Sequence, residues 1–178
     1  VQQGRRAVGS LKAVMKNRVV SMDVKRSLHD SIVVPTLTYG SEAWTLQEGN
    51  RSRIRAVEMS YLRGACGVTL WDRLTNEEVK ERCGVEVDVV EKVRRNTLRW
   101  FGHMERMESE RLTEKVYESE VDGVRGRGRP RLRWRDGVRT YMREGGFGWE
   151  EGRRAAGDRA TWRRFVRGHP LREHGVEQ

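Results

Sequence analysis

Six arginines, Arg125, Arg127, Arg129, Arg131, Arg133 and Arg135, take every second position of an eleven-residue stretch, and no acid interrupts them before Asp136. A guanidinium is permanently charged and presents a planar fork of donors matched to phosphate oxygens. The chemistry offered by such a run is anion contact, not bond making. A second set, Lys92, Arg95, Arg99, His103 and Arg106, recurs at intervals of 3, 4, 4 and 3. On a helix that spacing gathers the five groups into one narrow stripe able to follow a phosphate backbone. Glu91 and Glu105 flank the stripe and dilute its field, so spacing alone reads equally well as the solvated face of a charged protein.

The centre of the run, Arg127-Gly128-Arg129-Pro130, resembles an AT-hook, an extended segment whose arginines lie in the narrow minor groove. It occurs once and continues into Leu132-Arg133-Trp134, which reads as helix and not as a basic tail. General phosphate contact and a plain flexible linker are the competing readings.

Other chemistries lack their residues. A polymerase holds two metal ions on paired aspartates, and no Tyr-x-Asp-Asp-like turn occurs. Glu77-Glu78 and Glu150-Glu151 sit at predicted helix starts, where early acids oppose the helix dipole. Zinc sites want closely spaced ligand pairs, but Cys66 and Cys83 stand apart, and His169 and His174 are only a weak hint. The GRGRP stretch lacks the Lys-Ser/Thr of a phosphate-binding loop. No catalytic residue, metal site or cofactor is therefore expected.

The 178 residues carry a net charge of +10 and a pI near 10.3, which favours polyanionic partners. Hydrophobic and charged residues are nearly equal, at 36% and 35%, so the core must be modest. Apolar spacing and six tryptophans nevertheless argue for a folded chain. No apolar run reaches the length of a membrane span, and no signal peptide is visible. Two cysteines suit reduced thiols in a nuclear or cytoplasmic setting better than a disulfide scaffold. The start at Val1 hints at a fragment.

These groups must be positioned by helices. The spacing of Val8, Leu11, Val14, Met15 and Val19 predicts one helix over residues 5–20, and a second is expected over 23–34, burying Val24, Leu28 and Ile32. A third, over 48–65, puts Ile54, Val57, Glu58, Tyr61, Leu62 and Ala65 on one face. Thr75 begins a short helix that Gly84 closes. The clearest pattern spans 87–107, with Val90, Val93, Thr97, Trp100, Phe101, Met104 and Met107 in a broad apolar arc opposite the basic stripe. An acidic helix over 110–117 follows. Beyond Gly123 the expected helices are 132–143, with Trp134, Val138, Tyr141 and Met142 inward, and one capped by Asp158 that carries Trp162, Phe165 and Val166. Intervening glycines suggest looser packing there. The tryptophans at 44, 100, 134 and 162 read as core anchors, whereas Trp71 is the least constrained.

Four segments together resemble successive landmarks of one family: TLTYGSEAWTL (36–46), YLRGACGVTLWDRLTNEEV (61–79), LRWFGHMERM (98–107) and GRGRPRLRWRDGVRTYMRE (126–144). They are similar to the C-terminal part of the endonuclease–reverse transcriptase polyprotein of non-LTR (LINE-type) retrotransposons. The resemblance implies that the polymerase aspartates and endonuclease lie upstream. It also implies that residues from about 5 to 65 correspond to a helical thumb, and that the rest is a C-terminal extension holding RNA or DNA. The Cys/His zinc knuckle of many relatives has no counterpart in this sequence, so no metal site is carried over.

The expected architecture is mainly α, an irregular helical bundle with a Gly/Arg-rich linker and a looser helical C-terminal segment. Its divisions would be residues 1–66, 67–122 and 123–178. The expected function is non-catalytic nucleic-acid binding through the stripe and the arginine run, beside an upstream reverse transcriptase palm and away from membranes. The alternative is an inert or protein-binding helical remnant whose charges only keep it soluble.

Overall fold

A computed structural model describes residues 1–119, 128 and 132–168. The described residues are mainly α-helical, with no strand among them. They divide into two compact units, one of residues 1–41 and 46–93, the other of 42–45 and the chain from Arg94 onward.

In the first unit, α1 (Gln2–Ser10) and α2 (Lys12–Lys16) replace the single helix expected over 5–20. Asn17 turns extended and its side-chain oxygen accepts a hydrogen bond from the Val19 amide at 2.8 Å. That local bond competes with the helical ladder and leaves Val19 exposed instead of buried.

The next helix also departs from its predicted face. Ser21 caps α3 (Met22–Leu28), which passes into a π-helical turn (His29–Val33) and then α4 (Val34–Thr38), with Pro35 in its first turn. Val24 and Ile32, expected inside, are exposed, and Lys25, His29 and Val33 are buried in their place. The inward face is rotated by one residue because polar groups on it find partners. Lys25 Nζ donates to the Ala65 carbonyl at 3.2 Å, and Tyr61 Oη donates to the Lys25 carbonyl at 2.6 Å. A satisfied polar group can occupy a core that hydrophobic periodicity assigns to valine and isoleucine.

Helix α5 (Glu48–Cys66) buries the whole predicted face, Glu58 included. Both Glu58 oxygens are used: one lies 3.2 Å from His29 Nε2 and the other accepts the Val89 amide at 3.1 Å. His29 Nδ1 lies 3.0 Å from Asp30. Gly67 ends α5 at φ 69°, a left-handed conformation that costs glycine nothing. Thr75 and Glu78 form a reciprocal capping box at the start of α6 (Asn76–Arg82). Asp88 then accepts the Glu91 amide at 2.8 Å at the head of α7 (Val89–Met104).

The second unit takes α7 from Arg94 onward, then α8 (Leu112–Glu118), α9 (Trp134–Glu144), α10 (Trp149–Gly157) and α11 (Arg159–Val166). Leu98, Phe101, Tyr141, Met142, Trp162 and Phe165 centre its core. Within α7, Leu98 is fully buried, while Trp100, predicted inward, is half-buried with its ring 5.3 Å from that of His103. Asp158 caps α11 as expected, accepting from the Ala160 and Thr161 amides. Three glycines of this unit, Gly102, Gly145 and Gly152, mark close packing. A Cβ on Gly102 would overlap the Trp162 indole, one on Gly145 would overlap the Phe165 ring, and one on Gly152 would sit 2.7 Å from Met142 Sδ. Their missing side chains let neighbouring rings and helices close up.

Candidate nucleic-acid interface

Trp162 joins α11 to α7. Its indole Nε1 donates to the Leu98 carbonyl at 2.8 Å, and Gly102 leaves room for the ring. With the helices locked at this point, their outward edges face one another across a cleft of about 510 Å³. One wall is Arg99, His103 and Arg106, and the other is Arg159, Arg163 and Arg167, with Trp162 and Val166 between them. Positions 159, 163 and 167 are four apart, so they stack on one edge of the helix. All six cationic or protonatable side chains belong to exposed residues, whereas Trp162 and Val166 are buried.

Among the described residues no carboxylate lines this cleft, and its field shows in Arg106. Burial first, and then the Arg159 guanidinium beside it, push the Arg106 pKa below the usual arginine range, with Asp158 opposing. Arg106 also donates to the Ala156 carbonyl, which fixes it as a strut between α7 and α10. What the arrangement can do chemically is hold anionic groups against a half-apolar floor. It offers donors and positive charge.

Of the residues predicted from sequence, the cleft gathers Arg99, His103 and Arg106. Lys92 belongs to the first unit, where its Nζ lies 3.3 Å from Asp30. Arg95 is half-buried in α7, one turn before Arg99. Arg133 is the N-cap residue of α9, its amide donating to Asp136 at 2.9 Å. Arg135 is engaged within the second unit: it donates to the Tyr117 carbonyl, stacks 4.4 Å from the Tyr117 ring centre and lies 3.9 Å from Glu118. Arg125, Arg127, Arg129 and Arg131 lie outside the described residues, as do His169 and His174. Trp71 is 92% exposed.

Sequence reasoning missed Arg159, Arg163 and Arg167. Their interval of four, on an edge of the helix beside the apolar Trp162 and Val166, was the available signal. Among the described residues no group of three or more His, Cys, Asp or Glu side chains is placed to hold a metal ion. No helix among them is long and apolar enough to cross a membrane.

The fold and cleft define a basic, mainly α-helical protein with an arginine-lined groove. No protein-family model matches the chain, and no solved structure does. Over 150 residues it is 33% identical to F52C9.6 of Caenorhabditis elegans, an uncharacterized transposon-derived protein. The alignment covers 80% of this chain and 53% of that protein, so the chain spans about half the length of this relative. Its similarity is thus to transposon-derived sequence.

Proposed function

We propose that the chain is a non-catalytic C-terminal fragment of a LINE-type reverse transcriptase that holds template RNA or target DNA. The observation that carries this reading is the cleft between α7 and α11, where five guanidiniums and one imidazole converge with no carboxylate among the described lining residues. Phosphates are the abundant anions that match such a row of forks, and each contact releases condensed counterions. The order of the four retrotransposon-like segments and the similarity to a transposon-derived protein support the setting.

In this reading Arg99, Arg159, Arg163 and Arg167 contact phosphates, and His103 adds a ring N–H contact. Arg106 and Arg135 hold the surrounding helices in place, and the four arginines of the cleft carry the phosphate contacts. DNA synthesis belongs to an upstream palm in the full-length parent. The test is retention of structured RNA and duplex DNA at low salt by the wild-type chain and by the double variant R99E/R163E. Binding that the double variant loses supports the proposal. Equal retention by both, or none by the wild type, overturns it.

A further inference from the structure

Cys66 and Cys83 lie seventeen residues apart in sequence, yet their sulfur atoms meet at 2.7 Å. Cys66 is the last residue of α5 and is partly exposed, whereas Cys83 follows α6 and is buried. The two thiols are held there by elements that do not depend on them. Gly67 turns the chain out of α5, Arg63 donates to the Leu74 carbonyl at 2.9 Å and to Asn76 at 3.1 Å, and the Thr75–Glu78 box starts α6. Val79 and Leu62 are buried on the two helices that bring the sulfurs together, and Cys83 Sγ also approaches the Leu62 carbonyl at 3.5 Å.

From this juxtaposition we propose that Cys66 and Cys83 form a reversible oxidation site, in which a small-molecule disulfide converts the thiol pair into an intramolecular disulfide tying α5 to α6. The exposed thiol reacts first. Cys66, as thiolate, attacks one sulfur of glutathione disulfide, forming a mixed disulfide and releasing one glutathione thiolate. Cys83 then attacks the Cys66 sulfur, and the second glutathione leaves carrying the proton that Cys83 gives up. The net change is two protein thiols and one glutathione disulfide giving one protein disulfide and two glutathiones. The order of events follows from burial. Loss of water around it, and the Cys66 thiol beside it, push the Cys83 thiol up to about 12. It is therefore a poor first nucleophile but is already placed against the sulfur it must attack.

The test is equilibration of the chain with reduced and oxidised glutathione, followed by alkylation and intact mass. Wild-type protein is expected to lose two hydrogens and both alkylation sites, and dithiothreitol should restore them. C83S should stop at one added glutathione, and C66S should stay unmodified because its remaining thiol is buried. If either variant fails to fold, the wild type decides alone: its disulfide should be favoured in buffer at least about tenfold more than in urea, where only a flexible loop joins the thiols. Both thiols remaining alkylatable, a persistent mixed disulfide on the wild type, or equal equilibria in buffer and urea would overturn the proposal.

Discussion

Replacing Arg99 and Arg163 with glutamine removes two cations from opposite walls of the cleft without adding an acid. The consequence can be worked from the geometry. Five arginines line the cleft, and Arg106 is tied to the Ala156 carbonyl, which leaves Arg99, Arg159, Arg163 and Arg167 to meet phosphates in the proposed reading. For duplex DNA, with about 0.9 counterions released per phosphate neutralised, four contacts give a log–log salt slope of about −3.6. Raising salt from about 50 to 200 mM then weakens wild-type binding about 150-fold. With two contacts left, the slope falls to about −1.8 and the same change in salt weakens binding only about 12-fold. Fluorescence anisotropy of a labelled duplex across that salt range measures both slopes. An unchanged slope in R99Q/R163Q, with affinity lowered uniformly or not at all, would refute the reasoning because the cleft would then not be where phosphates sit.

Three further outcomes concern the framework. Glu58→Ala strips the buried partners from His29 and the Val89 amide, and should lower stability by about 3 kcal/mol in urea unfolding, since orphaned buried polar groups keep their desolvation penalty. Gly102→Ala drives a methyl into the Trp162 indole and should destabilise by about 1–3 kcal/mol in thermal melts, whereas alanine at the open Gly137 should not. Asp88 sets a pH dependence. Burial by itself would raise its pKa, but the Glu91 amide and the Lys80 ammonium outweigh it and hold the carboxyl below the ordinary aspartate range. Its stabilising contribution is therefore complete above that range and is lost as pH falls through the lowered value. Urea midpoints of wild type and Asp88→Asn should converge as the medium is acidified.

The parts legible in the sequence are those where one residue's neighbours along the chain decide its place. The face of α5, the helix start at Thr75 and the Asp158 cap all follow from spacing and side-chain type, and the structure has them where expected. The inward face of α3 did not, because Lys25 and His29 are acceptable inside only through Ala65 and Glu58, on a helix tens of residues away. The same holds for the cleft. Half of its cationic wall was visible as a stripe on α7, but Arg159, Arg163 and Arg167 become a second wall only when Trp162 docks against Leu98 and Gly102. Arginine density was also a poor guide to position: Arg135, within the densest run, is engaged by Tyr117 and Glu118.

The pressure of Arg159 on Arg106 has a thermodynamic side. A groove of like charges is work done against folding, and an anion that settles in it returns that work to the native state. By mass action, a ligand that binds only the folded chain raises its stability as RT ln(1 + [L]/Kd). The melting temperature should therefore climb with tripolyphosphate well beyond what chloride achieves at equal ionic strength. In a medium poor in polyanions the second unit would be at its least stable, so a polyanion bound in the cleft would also serve as part of its fold.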